Sequence, residues 1–90
     1  MLPLEGIRVV DFGRVLSAPY GTMQMADLGA DVVKIEHPTY GDDTRSFGPP
    51  FVRDVSTYFV SINRGKRSVA LDLKCAADVE LAKKLIAVAD

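Results

Sequence analysis

The sequence predicts an α/β fold with a mainly parallel sheet, and three observations carry that reading. Two short β-branched runs, Ile7-Arg8-Val9-Val10-Asp11-Phe12 and Asp31-Val32-Val33-Lys34-Ile35-Glu36, flank a stretch of helical character. A third run, Ser68 to Leu73, leads into an amphipathic segment. Strand, helix and strand in such close succession match a βαβ unit, whose crossover is right-handed in nearly all proteins. With 90 residues, 48% apolar and 26% charged, there is material for one small unit and not for two domains.

The first strand, near residues 7–12, is bounded by Gly6 and Gly13. A helix near 18–28 follows, with Ser17 as candidate N-cap, Pro19 in the first turn, and Gly29 where a left-handed residue ends a helix. The second strand, 31–36, is closed by Pro38. Residues 38 to 56 show no useful period and carry Pro38, Gly41, Gly48, Pro49 and Pro50. Irregular connections of that length are uncommon in compact domains and are usually functional or disordered, and we read this one as functional. Tyr58–Ile62 and Ser68–Leu73 are both β-compatible, and the turn-like Asn63-Arg64-Gly65 between them permits a hairpin on pattern alone. A final helix near 76–89 places Leu81, Ala82, Leu85, Ile86, Val88 and Ala89 on one face, with Glu80 able to pair with Lys84 on the other. The chain stops at Asp90 where a βαβ progression calls for another strand, so residues 1–90 read as the N-terminal portion of a larger domain.

Eleven basic and twelve acidic residues, with a net charge of −1, leave no general basic field, so nucleic-acid binding is not the expected task. Phosphate recognition, if present, has to be local. Cys75 is the single cysteine and His37 the single histidine. Neither an intramolecular disulfide nor a closed tetrahedral zinc set can be assembled from them, and no metal ligand is expected. Met1-Leu2-Pro3-Leu4-Glu5 lacks a basic leader, and no apolar run approaches the ~20 residues that cross a bilayer. The expectation is a soluble, cytoplasmic protein without a membrane partner.

Five features carry possible chemistry, and each admits two readings. The turn Gly13-Arg14-Val15-Leu16-Ser17-Ala18-Pro19 presents free backbone N–H groups at a helix start, which suits an anion, or it is an ordinary capped helix. Glu36, at the end of a strand, either bonds a ribose hydroxyl or is a solvated acid. His37 faces a phosphate or is an unliganded loop histidine. Gly41-Asp42-Asp43-Thr44-Arg45 either offers oxygen ligands to a hard cation or caps a turn, with Arg45 reaching back to a carboxylate; the second reading is preferred. Arg64, Lys66 and Arg67, with Lys74 beyond, form either a phosphate site or a solvated basic surface.

Beyond generic pattern, the strings Leu4-Glu5-Gly6-Ile7-Arg8-Val9-Val10-Asp11-Phe12 and Ala26-Asp27-Leu28-Gly29-Ala30-Asp31-Val32-Val33-Lys34-Ile35-Glu36 resemble the amino terminus of the family III CoA-transferases. The segments Gly41–Arg45, Gly48-Pro49-Pro50-Phe51, Asn63-Arg64-Gly65-Lys66-Arg67-Ser68 and Leu71-Asp72-Leu73-Lys74 extend the resemblance, in order, over the whole chain. It implies the first part of a Rossmann-like large domain completed by the far end of a longer chain, two such chains interlocked as a homodimer, and a short helix rather than a strand at 58–62. It implies transfer of CoA from an acyl-CoA to a small carboxylic acid, with CoA as substrate and no tightly bound cofactor. An aspartate that takes the acyl group as a mixed anhydride would lie beyond residue 90, so no catalytic residue is assigned among the acids present.

Residue by residue, the family's CoA site falls on Val15, Leu16 and Ser17, on His37, and on Leu71, Asp72, Leu73 and Lys74. Leu16 replaces a glutamine of the formyl-CoA transferases, which argues against oxalate chemistry. His37 replaces the arginine of most members, so CoA affinity is expected to fall as pH rises and the histidine loses its charge. Gly41–Arg45 and Gly48–Phe51 resemble the dicarboxylate branch of transferases rather than the α-methylacyl-CoA racemases, which are the first alternative. A noncatalytic nucleotide-binding or interaction module is the second. Residues 1–90 by themselves are expected to be inactive, and marginally stable or self-associating.

Overall fold

The computed structural model describes residues 1–90. Three strands, β1 (Arg8–Asp11), β2 (Asp31–Glu36) and a later strand at Arg67–Ala70, form one parallel sheet in which the Asp31–Glu36 strand lies in the middle. Between them run α1 (Ser17–Asp27), a two-residue pair β3 (Phe51–Val52) and β4 (Val55–Ser56), and α2 (Thr57–Asn63); the Arg67–Ala70 strand is therefore β5, and α3 (Ala76–Ala87) follows it. Register sets Asp11, Lys34 and Ser68 side by side in one row across the sheet.

Strand alternation gives this sheet two unlike faces. Val10, Val33, Ile35 and Val69 meet Leu71, Ala82 and Leu85 to make an apolar core beneath α3. The opposite face, under α1 and α2, buries Met23, Val32 and Ile62, but also Asp11, Lys34 and Glu36. Gly13 is required at the mouth of that layer, because a Cβ there would collide with Ala18 at the start of α1.

Several boundaries differ from expectation, for local reasons. β1 ends at Asp11 because its carboxylate accepts the Gly13 N–H at 2.7 Å and turns the chain out of the ladder. β5 ends at Ala70, since Asp72 builds a turn by accepting the Lys74 N–H at 2.9 Å. Ser17 is not the N-cap of α1: Leu16 holds that position, and no side chain caps the helix. Gly29 does end it, at φ +106°.

Tyr58–Ile62 lies within α2, as the family resemblance implies and against the hairpin pattern; Ser56 caps it by accepting the Phe59 N–H at 3.3 Å. The only hairpin is β3–β4, where Arg53 and Asp54 both take positive φ, of 51° and 63°, the turn geometry that suits the twist of a two-residue hairpin. The loop from Pro38 to Ser56 is thus partly ordered, with a 3-10 turn at Asp43–Ser46 as well.

Of the expected apolar face, Ala82 is buried and Leu85 and Ala89 are half-buried; Leu81, Ile86 and Val88 are each at least 50% exposed, so that face is only partly covered. Glu80 pairs with Lys83 at 3.4 Å rather than with Lys84. Asp90 borders the outer edge of β1, its N–H donating to the Arg8 carbonyl at 2.9 Å and its carboxylate accepting the Arg8 N–H at 3.0 Å. No helix is long and apolar enough to cross a membrane.

Candidate functional site

Parallel strands that point the same way bring their C-terminal ends, and the loops that follow, to one edge of the sheet, which is where open α/β sheets hold their ligands. Here that edge carries a cleft of ≈ 280 Å³. One wall is Phe12-Gly13-Arg14 after β1, the other Leu71-Asp72-Leu73-Lys74 after β5, and the floor is Lys34–His37 with Asp42.

Beneath the cleft lie two ion pairs whose side chains are at most 2% exposed. Lys34 Nζ donates to Asp42 Oδ2 at 2.9 Å and to the Gly13 carbonyl at 3.1 Å. Lys66 Nζ donates to Asp11 Oδ2 at 3.1 Å, to the Pro19 carbonyl at 2.9 Å and to Asn63 Oδ1 at 2.8 Å. Such pairs persist out of water only when their remaining donors and acceptors are satisfied, and here every buried side-chain polar atom has a partner.

The charges respond to these surroundings. Burial pushes the Asp42 carboxyl up, but the Lys34 ammonium and the N–H and hydroxyl of Thr44 overcome it and bring the group to about 2. Burial likewise opposes ionisation of Asp11, and bonds from Thr22, Gly13 and Lys66 win, lowering its pKa. Burial also lowers that of Lys66, against the pull of Asp11. Arg45 holds the Glu36 carboxyl at about 2, clasping both of its oxygens at 2.7 and 2.8 Å. Ser68 and the Asp42 N–H complete that shell. Glu36 is therefore neither a ribose acceptor nor a solvated acid. It is the anchor of the following loop, as the structural reading of Arg45 anticipates.

His37, Leu71, Asp72, Leu73 and Lys74 do line the cleft. Val15, Leu16 and Ser17 do not; they continue from its wall into the first turn of α1. Lys74 has an ammonium with no hydrogen bond or ion pair, held on a turn whose geometry Asp72 sets. His37 stacks on Tyr40 at 4.8 Å, and its Nδ1 accepts from the N–H groups of Thr39 and Tyr40 at 3.1 and 3.3 Å. With Nδ1 engaged in this way, Nε2 is the ring nitrogen left to bond a ligand.

The basic cluster disperses. Arg64 binds Asp27, Lys66 is buried on Asp11, and Arg67 binds Asp31, which leaves Lys74 alone of the four facing the cleft. Asp42 and Asp43 also separate, to Lys34 and Arg14, and no group of His, Cys, Asp or Glu is placed to hold a metal ion. Sequence reasoning missed Lys34 and Asp11 altogether. The available signal was a charged residue alternating with valine and isoleucine inside a short strand, where one face has to be buried.

This geometry has close counterparts. The succinyl-CoA:glutarate CoA-transferase of Mus musculus is 53% identical over 90 residues, covering 100% of this chain and 21% of that protein. The acetyl-CoA:oxalate CoA-transferase of Acetobacter aceti is 46% identical over 88 residues, 98% of this chain and 22% of that one. A crystal structure of a CaiB/BaiF family protein from Brucella suis superposes with a TM-score of 0.93 at 45% identity, covering 99% of this chain and 24% of its own. The chain spans about a fifth to a quarter of the length of the relatives it matches. The model of CoA-transferase family III matches residues 4–90, and with that match over nearly the whole of its length the chain belongs to this family.

Proposed function

We propose that the cleft receives the phosphate-bearing part of CoA, and that this chain forms the CoA-binding edge of an enzyme that moves CoA from an acyl-CoA to a small carboxylic acid. The observation that carries the reading is Lys74: an unpaired ammonium on the rim of a cleft in which Lys34 is already neutralised by Asp42. His37 Nε2–H and the backbone of Leu71, Asp72 and Leu73 complete the contact surface, and Val15, Leu16 and Ser17 approach CoA from the turn that leads into α1. The names of the relatives point to dicarboxylates, with succinyl-CoA as donor and a glutarate-sized acid as acceptor.

Such transfer needs a carboxylate that displaces CoA thiolate from the thioester carbonyl and holds the acyl group as an anhydride. Glu36 and Asp42 are at most 4% exposed and fully engaged, which unfits them for attack. We place the nucleophile outside these ninety residues, in an interlocked cytoplasmic homodimer.

Two measurements on the protein produced from the complete gene test this. Incubation with succinyl-CoA and glutarate should yield glutaryl-CoA without exchange of the α-proton; α-proton exchange without transfer would favour a racemase. In calorimetric titration, Lys74→Ala should raise the Kd for CoA by about tenfold, or ~1.4 kcal/mol. An unchanged Kd would remove Lys74 from the site.

A further inference from the structure

Val15 has φ 66°, a left-handed backbone that a β-branched residue seldom adopts and that persists only where its surroundings impose it. The imposing group is visible. Both carboxylate oxygens of Asp42 lie 3.3 Å from the Val15 N–H, and Lys34, paired with Asp42, donates to the carbonyl of Gly13 two residues earlier. The pair grips the turn on both sides of Arg14, which lines the cleft. Arg14 is tied again by its ion pair with Asp43 at 2.7 Å. Asp42 itself is fixed, since Glu36 accepts its N–H at 2.9 Å and Thr44 donates to its carboxylate twice.

We infer that Asp42, acting with Lys34, is a positioning residue: it holds the Gly13–Val15 turn in its left-handed form and so sets the wall of the cleft and the entry to α1 in register with CoA. The inference rests on the functional reading above and deepens it. Asp42 need not touch the substrate. It converts a fixed charge under the sheet edge into a fixed backbone at the cleft.

The test is a mutant cycle in the complete protein between Asp42→Asn and Val15→Gly, with CoA titration, KM and kcat for succinyl-CoA, and amide hydrogen exchange of residues 13–17 as readouts. Asp42→Asn should speed exchange across the turn and lower kcat/KM by roughly 10- to 100-fold, the scale of a misplaced binding wall. Glycine takes a positive φ without cost, so the same change in the Val15→Gly background should lose clearly less. A loss of equal size in both backgrounds would mean that Asp42 serves only the fold and would overturn the proposal, as would unchanged exchange of the turn in Asp42→Asn. Should Asp42→Asn not fold, Val15→Pro takes its place, because proline forbids positive φ and removes the N–H while leaving the Lys34–Asp42 pair intact. Val15→Pro with unaltered CoA affinity and kcat/KM overturns the proposal. If the unaltered protein fails to bind CoA, the functional reading falls and takes the proposal with it. Binding that is normal in the unaltered protein and in Asp42→Asn overturns the positioning role alone.

Discussion

Replacing Lys66 by methionine is expected to destabilise the protein by about 3–5 kcal/mol, the cost of stranding a buried charge, measured as a shift in urea denaturation. All three ammonium protons of Lys66 are used, on Asp11, the Pro19 carbonyl and Asn63, so it joins the end of β1, the first turn of α1 and the last turn of α2. Methionine fills the volume and supplies none of the bonds. Asp11 would keep only Thr22 and the Gly13 N–H, with its charge out of water. Adding Asp11→Leu should recover much of the loss, since a buried pair exchanged whole for apolar side chains is often tolerated. Arg64→Met, which breaks an exposed pair with Asp27, is the control and should barely shift the curve. A loss under about 1 kcal/mol for Lys66→Met would show that Asp11 finds solvent, contrary to its burial.

Acid should unfold the protein between about pH 4.5 and pH 2. Glu36 and Asp42 have folded pKa values lowered to about 2 from ordinary values of 4.5 and 3.8. A depressed folded pKa contributes stability that is fully present above the unfolded value and is lost as pH falls toward the folded one. Each carboxylate contributes on the order of 2–3 kcal/mol, and the two together are a large share of what a domain this small can hold. Protonation should also release the 38–50 loop first, because Glu36 holds Arg45 and the Asp42 N–H while Asp42 holds Thr44. Circular dichroism across that window, repeated for Glu36→Gln, checks the assignment: the variant should be less stable at pH 7 and less sensitive to acid. A midpoint unchanged by Glu36→Gln would clear Glu36 of the effect.

Much of the sheet was legible in the residues. β1 and β2 announce themselves because β-branched runs sit between glycine and proline punctuation, and α1 because Pro19 and Gly29 stand at its two ends. α2 was legible only through the family resemblance. Tyr58-Phe59-Val60-Ser61-Ile62 has strand composition, and Ser56 capping together with packing on α1 overrides it. The β3–β4 turn carries no glycine or asparagine, so nothing in Arg53-Asp54 advertised it. At the sheet edge, Lys74 and the 71–74 segment, singled out through the family resemblance, form one wall of the cleft. The grouping of Arg64, Lys66 and Arg67 failed because adjacency in sequence does not place side chains on one surface: along β5 and the turn before it they diverge to three separate acids. Lys34 and Asp11 stayed hidden because the ordinary fate of a charge is solvent.

The unlike faces of the sheet also govern how the protein responds to temperature. Exposing apolar surface raises heat capacity and exposing polar groups lowers it. The α3 layer contributes the first effect, and the Asp11, Lys34, Glu36, Asp42 and Lys66 layer the second. Calorimetric unfolding should give a heat-capacity increment below the roughly 1.1–1.4 kcal/mol/K usual for a chain of this length. A smaller increment broadens the stability curve, so the clamp beneath the cleft keeps its geometry over a wider span of temperature than an apolar layer of equal area would permit.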